Sequence, residues 1–166
     1  ECQGRAIVLD KECYGITLSA NVIAHNGSGI ILDDAHGCAV SANTFTLLAA
    51  DALKIGPKSG RITVTGNNFS NSYIGHGQVK RRTDDLKAAG LTLDKTRGVT
   101  VSGNLFSSVR PKAVQVIEPT THVIFGDNLL IDVESDHEKL RDSVIKNNLI
   151  APAEPVKPEP GQAGSK

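Results

Sequence analysis

RITVTGNNF, residues 61–69, decides the fold, because its nine-residue pattern recurs with an asparagine always in the seventh place. The other copies are GITLSANVI (15–23), GCAVSANTF (37–45), GVTVSGNLF (98–106), HVIFGDNLL (122–130) and DSVIKNNLI (142–150). They supply Asn21, Asn43, Asn67, Asn104, Asn128 and Asn148. A shorter pattern precedes five of the six: AIVLD from Ala6, GIILD from Gly29, ALKIG from Ala52, GLTLD from Gly90 and AVQVI from Ala113. The starts are spaced by 23, 23, 38 and 23 residues, so the chain is a repeat with one insertion of 15 residues. A fixed period in this range means stacked units, each with an apolar face that only its neighbour covers. Ile62 and Val64, and Val99 and Val101, alternate with Thr63 and Thr100. The period is therefore two and the units are strands. A 23-residue unit holding two or three strands of about five residues has no room for a covering helix. The natural solution is a coil that wraps back on itself and pairs with the next coil about 4.8 Å away.

Each unit thus reads as a small residue followed by alternate aliphatics, then a second alternating run that ends in the asparagine and a Phe, Ile or Leu. Over roughly residues 5–150 this signature resembles the right-handed parallel β-helix of the pectate-lyase-like families. The resemblance implies an all-β, single-stranded solenoid of about five full coils plus a partial sixth. It also implies an asparagine ladder lining the tight turn between the second and third strands. Asparagine tolerates the left-handed backbone such a turn needs, and its amide both donates and accepts along the stack.

With four Phe, two Tyr and no Trp or Met, the core must be aliphatic apart from Phe45, Phe69 and Phe106, which hold the same place in three successive units and predict an aromatic stack. Lys plus Arg and Asp plus Glu are balanced at 18 each, which argues against nucleic acid or an anionic membrane as the main partner. No apolar run approaches a membrane span, and no charged-then-apolar leader is present. Cys38 occupies the inward place of Ile16, Ile62 and Val99 and reads as a small core residue. Cys2 and Cys13 flank the first strand, too far apart in an extended chain to bridge unless the N-terminus folds back.

The repeat begins abruptly at about Arg5, with nothing before it to shield an open coil edge. Further N-terminal coils or a second subunit would cover that edge. The sixth unit has only its asparagine strand; DVESDHEKLRDS (132–143) replaces the expected first strand and suits a polar loop or short helical turn. The β-helix domain spans 1–150, and residues 151–166, rich in Pro, read as a disordered tail or linker.

Chemistry is sought first in the insertion, about residues 71–89, because loops on a rigid scaffold are where function concentrates. It carries Tyr73, His76, Lys80, Arg81, Arg82, Asp84 and Asp85. A solvated loop with a turn capped by Thr83 is the plain alternative. In the resembling families, long loops on that side wall a groove whose floor is the first-strand sheet and which holds a polysaccharide. If Ile30, Leu53, Leu91 and Val114 point inward, then Ile31, Lys54, Thr92 and Gln115 point outward into that floor, with Asp10, Asp33 and Asp94 at the strand ends. Asp10 and Asp33, one coil apart, read as a surface ion-pair patch with Lys11, the alternative being a calcium site shared by the two carboxylates.

The resemblance implies action on or binding of an acidic polysaccharide by an extracellular or cell-envelope protein. A lyase or epimerase would neutralise the uronate with Lys54, Lys80, Arg81 or Arg82 and abstract a proton with His76, Tyr73 or a lysine of lowered pKa. Tyr73, Lys80, Arg82, Thr92 and Gln115 would hold the substrate. ADALKIGPKSG (50–60) followed by GHG (75–77) also resembles the polygalacturonase-type hydrolases, with Asp51 and His76 at the matching places. Ala50 stands where that family has a first aspartate, and inversion needs two carboxyl groups, so Asp51 alone does not supply both roles. The non-catalytic alternative is a structural or glycan-binding β-helix module of a larger protein.

Overall fold

The computed structural model describes residues 2–70 and 89–152. Nearly every strand is parallel-paired with its counterpart one repeat away, and the strands fall on three faces of a coil. The first face stacks Cys2–Leu9, residues 28–32, Leu53–Ile55, Leu91–Leu93 and Val114–Val116. The second stacks Thr17–Ser19, Ala39–Ser41, Gly60–Thr65, Arg97–Ser102, Thr121–Gly126 and Val144–Lys146. The third runs from residues 22–26 through Thr44–Leu48, Asn68–Ser70, Leu105–Ser107 and Leu129–Ile131 to Leu149–Ala151. The first and third faces join because Val22–Leu32 is one eleven-residue strand serving both, turned by His25 at φ 56°.

Alternation fixes the inside of the coil. Ile30, Leu53, Leu91 and Val114 form one fully buried column, and Leu32, Ile55 and Leu93 a second. The rings of Phe45, Phe69 and Phe106 stack at centroid distances of 4.8 and 4.7 Å, nearly parallel, because register-matched residues of a parallel sheet are spaced by the strand separation. Cys38 is buried in the core as expected. The small residues that open each first strand are small for a reason: a Cβ on Gly90 would run into the carbonyl oxygens of Ala113 and Lys112 in the next coil.

The asparagine column is a continuous ladder. Each Oδ1 accepts the backbone N–H and the Nδ2 of the asparagine one coil earlier at 3.0–3.1 Å, from Asn21–Asn43 through Asn128–Asn148. Each Nδ2 from Asn43 onward also donates to a second-strand carbonyl of the preceding coil, as Asn104 does to Val64 O at 2.9 Å. The left-handed conformation belongs to the residue before each asparagine: Ala20, Ala42, Gly66, Gly103, Asp127 and Asn147 have φ between 53° and 64°. Asparagine is therefore selected for its amide alone, which corrects half of the reason given from sequence.

At the N-terminal side the first strand begins at Cys2, three residues before the expected start, and pairs with Asn26 across a register shift. Cys13 is a free thiol whose S–H donates to Asp10 O. Residues 132–143 include a 3-10 turn, His137–Lys139, and touch the first-strand sheet at Ser135, which bridges Val114. Among the described residues no helix is long and apolar enough to cross a membrane.

Candidate functional site

The outer face of the first-strand sheet has three columns. At the strand heads stand Arg5, Ser28 and Asp51, then by the same register Ala89 and Lys112; in the middle stand Val8, Ile31, Lys54, Thr92 and Gln115; at the strand ends stand Asp10, Asp33, Gly56 and Asp94. The middle column is the floor expected from alternation.

Two hollows lie on this floor. One, of about 390 Å³, is bounded by Ala49 and Ala50, Asp51, Ala89 and Gly90, Thr92, Gln115 and the segment 110–112. The other, of about 230 Å³, is bounded by Arg5, Ser28, Ile31, Asp33, Lys54 and Pro57. Asp51 borders both. Among the described residues the larger hollow is lined around Asp51 by small side chains: Ala89 succeeds it in its column, and Ala49, Ala50 and Gly90 stand beside it.

Thr92 points outward yet is buried, 3% exposed, and its hydroxyl donates to Asp51 Oδ1 at 2.5 Å. A hydrogen bond from a hydroxyl to a carboxylate at that length is at the strong end of the range, and it fixes one oxygen of Asp51. Lys54 Nζ lies 3.3 Å from Asp94 Oδ2. Arg110 donates to Asp132 through Nη2 at 2.9 Å and to its backbone oxygen through Nη1 at 2.6 Å. Lys112 Nζ lies 2.6 Å and Lys139 Nζ 3.0 Å from Asp136 Oδ1. Burial pushes the Asp136 carboxyl up, but the hydrogen bonds from Lys112 and Lys139 outweigh it and hold the group below the usual carboxylate range. The same bond to Asp136 raises Lys112 above the usual lysine value.

Of the residues singled out from sequence, Lys54, Thr92 and Gln115 come together on one floor, with Gln115 exposed at the edge of the larger hollow. Tyr73, His76, Lys80, Arg81 and Arg82 lie outside the described residues. Asp10 and Asp33 are exposed neighbours one coil apart, Asp33 N–H donating to Leu9 O at 2.8 Å. Their column breaks at Gly56, and Asp94 beyond it turns to Lys54. Among the described residues no three His, Cys, Asp or Glu side chains gather as a metal site, so a calcium ion there would have two carboxylates at most.

Sequence reasoning reached Asp51 only through a family resemblance and passed over Arg110 and Lys112. The signal was present: the register that aligns Ala52 with Ala113 also aligns Asp51 with Lys112, one place before the small residue that opens each floor strand.

A family model described as a right-handed beta helix region matches residues 5–151. Comparison with curated proteins and with solved structures found no match.

Proposed function

The chain belongs to the right-handed β-helix family, and we propose that it holds a polysaccharide along the outer face of its first-strand sheet, as a glycan-binding module of a carbohydrate-active protein. The observation that carries this reading is the pair of hollows joined at Asp51 on a straight parallel floor. Five stacked strands at about 4.8 Å give a track of about 20 Å. Its lining offers hydroxyl, carboxylate, amide and cationic groups, the mixture that orients a hydroxyl-rich polymer. An extracellular or cell-envelope setting fits such a ligand.

A second reading, a lyase or epimerase of acidic polysaccharides, is favoured by the cations Lys54, Arg110 and Lys112 beside the floor. In it Lys54 would neutralise a uronate carboxylate, and the insertion would supply the base, His76 or Tyr73, with Arg81, Lys80 and Arg82 holding the chain.

The test is co-sedimentation of the chain with insoluble neutral and acidic polysaccharides, with parallel assays for unsaturated products and for new reducing ends. Retention without product supports the binding module, and unsaturated product supports the second reading. Failure to be retained by any polysaccharide, with no unsaturated product from any of them, would refute both.

A further inference from the structure

The floor's charges are arranged unevenly, and the unevenness bears on ligand class. Each cation that the described residues place beside the larger hollow or on the middle column already faces a carboxylate: Lys54 faces Asp94, Arg110 faces Asp132, and Lys112 faces Asp136. Asp51, which borders both hollows, takes part in no such ion pair among the described residues and is bonded instead to the neutral hydroxyl of Thr92. An ionised carboxylate has about four lone-pair sites, and Thr92 occupies one of them. The group thus lies at the head of the third of five strands, oriented by a buried partner, and among the described residues no other side chain occupies its remaining acceptor sites.

We infer that Asp51 is the specificity-determining acceptor of this track and that the ligand is a neutral, hydroxyl-rich glycan rather than a uronate polymer. The inference rests on the polysaccharide reading above and narrows it. A sugar hydroxyl can donate to Asp51 in a charge-assisted bond, whereas a uronate carboxylate brings like charge to it, and like charges juxtaposed in a binding site act against the wrong partner. The three cations offset this only in part, because Asp94, Asp132 and Asp136 already neutralise them; Arg5, with no ion pair among the described residues, borders the smaller hollow alone and stands two strands from Asp51, so the discrimination is sharpest at the larger hollow. Thr92 is a positioning residue: it fixes which oxygen of Asp51 remains for the ligand.

The experiment is isothermal titration of the whole chain, and of Asp51→Asn and Thr92→Val, with cellohexaose, maltohexaose, mannohexaose and hexagalacturonate. The parent chain is expected to bind at least one neutral hexamer more tightly than hexagalacturonate. Asp51→Asn should weaken the neutral ligand about tenfold or more, the scale of a lost charged hydrogen bond, while strengthening any binding of hexagalacturonate. Thr92→Val keeps the carboxylate and should weaken the neutral ligand by a smaller factor, which provides a second readout if Asp51→Asn folds poorly. Tighter binding of hexagalacturonate by the parent chain overturns the inference. So does neutral binding that neither variant alters, or uronate binding that Asp51→Asn weakens; in these cases the polysaccharide reading survives. Absence of binding to all four hexamers overturns the inference, and if insoluble polysaccharides also fail to retain the chain, the broader reading falls with it.

Discussion

Replacing Asn104 by Ala should be among the most damaging single changes in the coil, and its cost follows from a short count of groups. In the parent chain Asn104 Oδ1 accepts from Asn67 N and Asn67 Nδ2, both at 3.0 Å, and Asn104 Nδ2 donates to Val64 O at 2.9 Å, Asn128 Oδ1 at 3.0 Å and Ser102 O at 3.1 Å. Asn67 and Asn104 are 2% and 1% exposed, so water has no ready access to the groups left behind. Four buried polar groups lose a partner, of which Asn67 Nδ2 and Asn128 Oδ1 keep another, and a group left with none costs about 1–3 kcal/mol. Allowing for relaxation and imperfect additivity, the expected loss is about 3–6 kcal/mol. Asn148 sits at the last rung and is half-buried, so Asn148→Ala should cost about 1 kcal/mol, with water replacing the lost partners. The measurements are urea unfolding of both variants and amide hydrogen exchange, where the Asn67 amide should lose protection in Asn104→Ala before its neighbours do. Equal costs for the two variants, or an Asn67 amide that exchanges as slowly as in the parent, would refute the ladder as an energetic element.

Phe69→Ala, which removes the middle ring of the stack from a fully buried site, should cost about 3–5 kcal/mol in urea unfolding; a cost under about 1 kcal/mol would contradict the packing. Gly90→Val should prevent proper stacking of the fourth and fifth coils, because its Cβ meets the carbonyls of Ala113 and Lys112, and a normal far-ultraviolet spectrum with an unchanged melting temperature would count against that. Asp136 is held below the ordinary carboxylate value, so its contribution to stability is present above about pH 4 and is lost as pH falls through the folded value. Asp136→Asn should cost about 1–3 kcal/mol at pH 7 and flatten the acid limb of the stability profile, while a parallel profile with an unshifted limb would remove Asp136 from the account. Lys112 gives the opposite limb, its contribution being lost as pH rises beyond the ordinary lysine value.

Strand register from Arg5 onward was legible in the sequence, since the period-two alternation and the 23-residue spacing together leave one way to align Ile7, Ile30, Leu53, Leu91 and Val114, and the structure pairs them so; the shift between Cys2 and Arg5 lies outside the repeat. The Phe stack followed from the same alignment. The role of the asparagines was half legible: spacing located the ladder, but only backbone angles show that the preceding Ala, Gly, Asp or Asn bends while the asparagine bridges. The site was less legible. Alternation put Thr92 outward correctly, yet Asp51, in the head column one coil earlier, turns it into a buried hydrogen-bond donor. That contact joins two columns and two coils, and no pattern within one strand announces it. The partners of Arg110 and Lys112, Asp132 and Asp136, come from the segment that departs from the repeat, where periodicity offers no guide.

The division between legible and illegible positions has a physical origin. Inward columns are constrained by close packing against the coils above and below, so each accepts a narrow set of residues: aliphatic in the first face, aromatic or aliphatic in the third, Ala or Gly in the column of Ala6, Gly29, Ala52, Gly90 and Ala113. A residue on the outer face answers to no such constraint, and the middle column accordingly runs Val8, Ile31, Lys54, Thr92 and Gln115, with no shared chemistry. The repeat is the record of the scaffold, and function is to be sought where a column departs from it. The departures gather in one place: Asp51 and Lys54 follow Ser28 and Ile31, Gly56 interrupts the acidic column after Asp33, and the insertion enters before Ala89. The two hollows meet at Asp51, in the same coil. A solenoid stabilised by identical contacts between neighbours can tolerate such a concentration of irregular residues, because each coil needs only its inward columns and its asparagine to stack. The third and fourth coils keep both: Leu53, Ile55, Asn67 and Phe69 in one, Leu91, Leu93, Asn104 and Phe106 in the next. Their outer faces are thereby left open to binding chemistry at little cost to the fold.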